Sequence, residues 1–401
     1  MSSSLRVLHV ISSMSPSRGG PSVTVHNMLK ALGRRGVSVE AVATNDDGGA
    51  ARLDVPVDRF TEFDGQRVRF FPRQTLKYAF SAPMRTWLRA NIGGYDIVHT
   101  HELFTFAPLA AARAARAARI AYLMTPHGAL DTWGMRNSSR VVKALSRRLV
   151  EGPLLARAAA VNFMTVLEQS RAARLGMSLR PLVLPVGIVD AAEPQASALQ
   201  PIPALQRDAR RKLLFLARIH PIKCPDVLLR AFAALGDRNT VLVIAGDGDP
   251  ALIAELRRLA NDLGVGDRVT WLGFVSGASK RWLLSQATLL ALPSASENYG
   301  IAAVEAMQAA LPVIVTAGCG LADFVRSHGA GFVTDGSVAA LRSTLATLLA
   351  NPELARAMGE AARRAVRREL SLETFGERLE SAYRRILERE ASPVYAPSPA
   401  G

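Results

Sequence analysis

Residues Glu297 to Glu305 read Glu-Asn-Tyr-Gly-Ile-Ala-Ala-Val-Glu and run on into Ala306-Met307. Two carboxylates stand at either end of this stretch. It follows an apolar run ending at Leu292-Pro293-Ser294 and precedes a second, Pro312-Val313-Ile314-Val315. The order is therefore strand, turn at Gly300, helix, strand. With a helix starting near Gly300, Glu305 falls on its second turn, while Glu297 stays in the loop before it. N–H groups at such a helix start face outward, where a phosphate or pyrophosphate is held. A carboxylate in that place would repel a bare phosphate. It suits hydrogen bonds to hydroxyls, and two such groups suit a sugar and a ribose.

A lone Glu-x7-Glu arises in any charged helix and would leave two solvated glutamates. Here it is embedded as Pro-Ser-x-Ser-Glu-Asn-Tyr-Gly-x4-Glu-Ala-Met between apolar strands. In that setting it resembles the signature of retaining glycosyltransferase family 4, which has the GT-B fold. The resemblance covers nearly the whole chain and is strongest between Leu213 and Val315. It implies an α/β protein of two Rossmann-like doubly wound domains facing a central cleft.

Composition and pattern agree with two domains. The chain has 401 residues, 49% of them apolar, enough for two cores of ordinary size. The two cysteines, Cys224 and Cys319, make no disulfide framework, which suits a reducing cytosol. The opening, Met1 to Ser13, reads as a first strand and lacks the features of a signal peptide. No apolar stretch reaches the length of a membrane span. Strand and helix alternate through Val7–Ile11, Val23–Leu32, Ser38–Ala43, Asp96–His101 and Tyr122–Thr125, as in a doubly wound parallel sheet. The pattern restarts near Pro185 to Asp190. Strands then follow at Leu213–Ala217, Val241–Ala245, Val269–Leu272 and Leu289–Leu292. The expected division is an acceptor domain over 1–186 and a nucleotide-sugar donor domain over 187–371. An amphipathic helix over 372–390 follows, which by resemblance crosses back to the first domain. A Pro/Ser/Ala-rich tail, 391–401, is read as disordered.

Ligands of such sheets sit beyond the carboxyl ends of the strands. Arg218 and Lys223 follow the strand Leu213–Ala217 in Ala-Arg-Ile-His-Pro-Ile-Lys-Cys-Pro-Asp. Charge-assisted contacts from two such cations to a diphosphate contribute about 1.5–3 kcal/mol each. The family reads Gly-Arg-x4-Lys-Gly here and binds the pyrophosphate with its Arg and Lys. In this chain Ala217 and Cys224 replace the two glycines, which puts the local turn in question. Resemblance adds Gly246 of Gly246-Asp247-Gly248 near the nucleotide, and Phe274 and Val275 where the backbone meets the base. Gly19 and Gly20 after the first strand let backbone amides approach a phosphate; a tight turn is the competing reading. His127, in Thr125-Pro126-His127-Gly128, stands at a strand's carboxyl end, and by resemblance contacts the donor hexose. His99 and His101 are read as packing residues. Asp323 stands where many relatives carry Glu, leaving that donor contact open. No His/Cys/Asp cluster has metal-ligand spacing along the sequence, and by resemblance the reaction needs no metal and no cofactor beyond the nucleotide-sugar co-substrate.

The implied activity is transfer of a hexose from UDP- or GDP-hexose to a saccharide or polyprenyl-linked acceptor, with retention. Glu305 would hold the ribose, and Glu297 with the amides of Asn298, Tyr299, Gly300 and Ile301 the transferred sugar. Arg218, Lys223, His127 and Glu297 form the expected catalytic set. A net charge of +15 points to an anionic partner. Arg136, Arg140, Lys143, Arg147 and Arg148 form a basic amphipathic stripe, and Arg113, Arg116 and Arg119 a second. Either is a solvated face or, for the first, a dock for anionic lipid on the inner face of the cell membrane. The alternative function is a non-catalytic nucleotide or polyanion binder. Nucleic acid is disfavoured, with no helix-turn-helix or zinc signature and few aromatics for stacking. A GT-B epimerase or phosphorylase would need a different signature around residue 297.

Overall fold

A computed structural model of the chain describes residues 4–130, 146–188 and 199–391. The chain forms two compact units, Met1–Val189 with Leu370–Gly401, and Asp190–Glu369.

The first unit carries an eight-stranded sheet of β1 (Arg6–Ser13), β2 (Ser38–Thr44), β3 (Phe60–Phe63), β4 (Gln66–Phe71), β5 (Ile97–His101), β6 (Ala121–Thr125), β7 (Ala160–Phe163) and β8 (Pro181–Val183). Their spatial order is β3-β4-β2-β1-β5-β6-β7-β8. All neighbours run parallel except β3 and β4. The central strands are apolar on both faces, with Val7, Leu8, Val10, Ile11, Ile97 and Val98 fully buried. That is the signature of a parallel sheet covered by helices on both sides. The order reverses between β1 and β5, which defines the switch point of this sheet.

The helix Leu372–Ala391 belongs to this unit. Phe375, Leu379, Ala382, Tyr383 and Ile386 are buried, a stripe of helical period. It packs on the helix Gly20–Arg34, closely enough that a Cβ at Gly376 would lie 2.9 Å from the Ala31 carbonyl oxygen. Arg35 Nε donates to Glu380 Oε2 at 2.6 Å. Where the chain leaves this unit, Ile188 N donates to Leu370 O at 3.0 Å. Gly187 there faces Phe375, with no room for a side chain.

The second unit carries a six-stranded parallel sheet of β9 (Arg211–Leu216), β10 (Thr240–Ala245), β11 (Val269–Gly273), β12 (Leu289–Leu292), β13 (Val313–Thr316) and β14 (Gly331–Thr334). Its order is β11-β10-β9-β12-β13-β14, so the switch point lies between β9 and β12. Leu213, Leu214, Val243, Leu289, Leu290, Val313 and Ile314 are fully buried. Both units are Rossmann-like. No helix among the described residues is long and apolar enough to cross a membrane. Arg136, Arg140 and Lys143 of the basic stripe, and residues 392–401 of the tail, lie outside the described residues.

Candidate active site

In the second unit the charged residues gather at the switch point. Arg218 and Lys223 follow β9, and Glu297 follows β12, its neighbour in the sheet. Lys223 Nζ and Glu297 Oε2 form an ion pair, with each side chain 16% exposed. Arg218 is exposed and lines a pocket of about 430 Å³ with His220, Gly248, Asp249 and Leu252. Burial, with the charges of Arg218 and Lys223 behind it, pushes the His220 imidazole below its ordinary range.

The turn holding Lys223 survives the loss of the family's glycine. Cys224 takes up φ 49° and ψ 47°, the left-handed region that glycine enters freely and other residues enter at about 1–2 kcal/mol. The glycines after β10 have a structural reason. A Cβ at Gly246 would stand 1.9 Å from the Ala217 carbonyl oxygen, and one at Gly248 2.1 Å from that of Ile219. Ile219 N donates to Asp247 O at 2.8 Å. The two loops lie backbone on backbone, and this fixes the segment that carries Arg218. Phe274, following Gly273, leaves 59% of its surface exposed, and Val275 is half-buried.

The helix expected near Gly300 runs Ile301–Gln308, with Gly300 as N-cap at φ 96° and no side-chain cap. Its leading amides are thus left by the side chains for a ligand. A Cβ at Gly300 would meet Cys319 Sγ at 3.3 Å and Glu297 Cγ at 3.4 Å. Glu297 is pinned by its backbone, donating to Gly318 O at 3.1 Å and accepting from Gly320 N at 2.8 Å. Tyr299 is buried, and Asn298 and Ile301 are half-buried. Glu305 accepts a hydrogen bond from Lys280 Nζ at 2.6 Å. Lys280, on the helix Gly277–Gln286, carries no motif that would have singled it out in the sequence. Asp323 is 93% exposed and pairs with Arg326 on its own helix.

The first unit presents a different set at its own switch point. Gly19, at φ 79° and ψ −141°, N-caps the helix Gly20–Arg34 without a side-chain cap. That backbone geometry belongs essentially to glycine. Gly20 begins the helix and is exposed. Behind them Asp47 accepts from Ser17 Oγ at 2.9 Å and is also bonded to Ser15 Oγ. After β5 comes Glu102 at φ 73°, a carboxylate the sequence reading passed over. Its Oε2 is buried with no partner, and burial raises its protonation range, partly offset by a hydrogen bond from Ser12. After β6 comes His127 at φ 51°. Its loop is held by Glu168, which accepts from Gly128 N at 2.7 Å and Met164 N at 2.8 Å. Strained backbone at Glu102 and His127, on adjacent strand ends, is of the kind that collects at functional sites.

His99 and His101 are buried, as packing residues should be, but they do not sit alone. The register pairs His9 with His99 and His101 with Thr125, so these side chains share one face of the sheet. His9, His99 and His101 bring ring nitrogens within 4.8 Å of one another. Spacing along the sequence hid this cluster, because it forms across strands. Burial, reinforced for His99 and His101 by neighbouring rings, lowers all of them, and His9 and His127 fall to about 3. They are neutral at physiological pH.

Two sequence families match the chain: Glycosyl transferases group 1 over residues 202–365 and Glycosyl transferase 4-like domain over 19–187. A D-inositol 3-phosphate glycosyltransferase of Mycolicibacterium vanbaalenii is 30% identical over 353 residues, 79% of this chain and 75% of that protein. The protein of that name from Mycobacterium sp. strain KMS is 41% identical over 136 residues, which span 33% of this chain and 31% of its own length. In fold the chain is similar to sucrose-phosphate synthase from Thermosynechococcus elongatus, with TM-score 0.75 and 21% identity over 96% of this chain and 100% of that one. It is also similar to Anabaena HepE in complex with UDP-glucose, with TM-score 0.74 and 18% identity over 95% and 100%. With the paired carboxylates at one switch point and these relatives across most of its length, the chain belongs to glycosyltransferase family 4, the glycosyl transferases group 1, of GT-B fold.

Proposed function

We propose that this glycosyltransferase moves a hexose from a nucleotide-sugar to a saccharide or lipid-linked glycan acceptor with retention at the anomeric carbon. The observation that carries the reading is the convergence of Arg218, Lys223 and Glu297 on one switch point, with the uncapped helix start at Ile301 beside Glu297. Arg218 and Lys223 hold the diphosphate and take up the charge that grows as it leaves. The Lys223–Glu297 pair exchanges partners on binding: Lys223 turns to the diphosphate and Glu297 to hydroxyls of the hexose. Glu305, released from Lys280, accepts from the ribose hydroxyls. His127 is assigned to the transferred hexose, and Gly19 and Gly20 to the side from which the acceptor arrives. The acceptor hydroxyl attacks from the face the diphosphate leaves, so no side chain need form a covalent intermediate. Two cations and a helix start already counter the diphosphate, and divalent metal is not required.

A donor panel tests this, beginning with UDP-glucose, the ligand of the HepE structure, and including GDP- and ADP-hexoses. Acceptors include D-inositol 3-phosphate, after the relatives' name, and polyprenyl-linked sugars. Release of nucleoside diphosphate with an α-configured product from an α-donor supports the reading. Inversion at the anomeric carbon, or turnover that vanishes in chelator and returns with magnesium, would overturn the corresponding part.

A lipid-linked acceptor is supported by the described end of the basic stripe, where exposed Arg148 adjoins Leu149, 64% exposed. A basic and an apolar side chain side by side suit an anionic bilayer surface. Binding to anionic vesicles should be present at 0.1 M salt and lost at 1 M, as the Debye length falls from about 10 Å to about 3 Å. Equal partitioning onto neutral vesicles would leave the stripe a solvated face.

A further inference from the structure

Four of the five histidines of the first unit, His9, His99, His101 and His127, are links in one chain of hydrogen bonds. His127 Nε2 meets His101 Nδ1 at 3.1 Å. His101 Nε2 meets His9 Nδ1 at 2.9 Å. His9 Nε2 meets the Tyr383 hydroxyl at 3.3 Å, and that hydroxyl meets His99 Nδ1 at 2.7 Å. His99 Nε2 meets Thr125 Oγ1 at 2.7 Å. One end of the chain is thus Thr125. The other is His127 Nδ1, which is buried and has no partner. An orphaned buried imidazole nitrogen costs about 1–3 kcal/mol, which a ligand would relieve.

The direction of the chain follows from its anchored end. Thr125 Oγ1 also meets Asn162 Nδ2, at 3.1 Å, and that amide can only donate. Of the two bonds this buried hydroxyl makes, only the one to His99 Nε2 can take its proton, so with Asn162 so placed Thr125 is read as donating to His99 Nε2. Each neutral ring that accepts on one nitrogen must donate from the other. His99 therefore donates from Nδ1 to the Tyr383 oxygen, and Tyr383 donates to His9 Nε2. His9 donates from Nδ1 to His101 Nε2, and His101 from Nδ1 to His127 Nε2. With Nε2 accepting, His127 carries its proton on Nδ1.

We propose that Thr125, His99, Tyr383, His9 and His101 are positioning residues that lock His127 as a neutral Nδ1–H tautomer, a fixed donor to a hydroxyl oxygen of the transferred hexose. The proposal rests on the assignment of His127 to the hexose given above. Tyr383 is the link that makes it more than local. It reaches the sheet from the helix Leu372–Ala391, some 280 residues downstream of His99, so a helix remote in sequence sets a proton on His127. A donor of this kind is useful because it does not titrate. An imidazole in water is half protonated near pH 6.5 and otherwise exchanges between tautomers. Here burial disfavours charge, and of the two directions in which the links can run only this one gives the Thr125 hydroxyl proton an acceptor among the bonds it makes.

The ring nitrogens also bear on a metal at His9, His99 and His101. A metal would need three lone pairs turned toward one point. In this arrangement the lone pairs of His9, His99 and His101 are each taken by a neighbour's proton. A stoichiometric transition metal in the purified protein would therefore overturn the relay.

The experiment uses the full-length protein labelled with ¹⁵N-histidine. Nitrogen shifts separate protonated from unprotonated ring positions, and the expected result is a neutral Nδ1–H form of His127. A predominant Nε2–H form, or a fast mixture, overturns the proposal. Tyr383→Phe keeps the ring and removes the hydroxyl between His99 and His9. It should give mixed tautomers at His127 and lower kcat about tenfold, the value of one hydrogen bond in the transition state, with nucleotide affinity unchanged. Should that variant fold poorly, Thr125→Val removes the anchoring proton at constant shape, and Thr125→Ser should restore most of the lost rate. Loss in both Thr125 variants alike would mean packing and would overturn the relay. His127→Ala separates the two readings. Full transfer in that variant removes His127 from the site and takes the parent assignment with it. Impaired transfer there, with unchanged tautomer and rate in Tyr383→Phe and Thr125→Val, leaves the site standing and overturns the relay alone.

Discussion

The two Rossmann-like units organise their switch points by opposite means. In Asp190–Glu369 the site is made of full charges, Lys223 with Glu297 and Lys280 with Glu305, partly open to water. In Met1–Val189 with Leu370–Gly401 it is made of neutral rings and hydroxyls, mostly buried and bonded to one another, with His127 Nδ1 left over. On the proposed function, the difference follows the ligand each would hold. A diphosphate carries charge and rewards cations that water can still reach before it binds. A sugar hydroxyl is neutral and rewards direction, which buried hydrogen-bond networks supply by rigidity.

Acid should expose this contrast most strongly. The unfolded chain takes up protons on its imidazoles near pH 6.5, whereas the folded chain holds His9 and His127 neutral down to about 3 and His99 and His101 well below their ordinary value. Between those limits the unfolded state binds more protons, so stability is complete above about pH 6.5 and falls as pH drops. Each ring contributes up to about 1.4 kcal/mol per pH unit. Hydrogen exchange at pH 7.5 and pH 5.5 should show β1, β5 and β6 losing protection first, with β9 and β12 little changed. Equal loosening of both sheets would mean that the histidine cluster is not what acid attacks.

The next effect is on the charged side. Lys223→Ala or Arg218→Ala removes a charge-assisted contact and should weaken nucleoside-diphosphate binding by about 10- to 100-fold, from about 1.5–3 kcal/mol. The histidine tautomers should not change. Unchanged affinity in both variants would take these cations out of the site.

Glu297→Gln sharpens the comparison, because its main effect should be on transfer and not on nucleotide binding. In the free protein Glu297 holds Lys223. Removing the carboxylate's charge frees that lysine, so the bare nucleoside diphosphate should bind as tightly or a few-fold more tightly, while transfer falls. Glu305→Gln should weaken the nucleotide instead, through the ribose. Calorimetric titration of both variants checks this division, and equal loss of nucleotide affinity would end it.

The same contrast explains what the sequence revealed. Glu297, Glu305, Arg218 and Lys223 lie in short local segments, each bounded by an apolar strand, so the resemblance to the family could be read from contiguous sequence. The helix start at Gly300 was legible for the same reason. The relay was not. His9, His99, His101, His127 and Tyr383 come from three strands or strand ends and a distant helix, and only the folded sheet brings them together. Tyr383 reads in the sequence as one more apolar position on an amphipathic helix. The core strands were visible as continuous apolar runs, whereas β4, where Arg67 and Arg69 alternate with apolar residues and Arg69 lies over the rings of Phe60, Phe71 and Trp87, and the short strands β3, β7 and β8 left weaker patterns. Lys280 and Glu102 bear no motif, and only the folded geometry marks them.

The smallest effect concerns one of the places where the charged site departs from its family. The family places glycine after the site lysine, and here Cys224 holds the same left-handed turn at φ 49°. If the turn matters only for its shape, Cys224→Gly should relieve backbone strain without altering the ligands of the site. The left-handed conformation costs a non-glycine residue about 1–2 kcal/mol, and the added freedom of glycine in the unfolded chain takes back about 0.4–1 kcal/mol. A net gain of about 0.5–1 kcal/mol remains, or roughly 1–4 °C in the melting of a unit of this size. Lys223 N still donates to His220 O at the base of the turn, at 2.9 Å, so nucleotide affinity should stay within about twofold, below 0.5 kcal/mol. Scanning calorimetry with a nucleotide titration checks both halves. A gain in affinity without a gain in stability would show that cysteine displaces Lys223 from the diphosphate, and that the charged site depends on its backbone as closely as the neutral site depends on its hydrogen bonds.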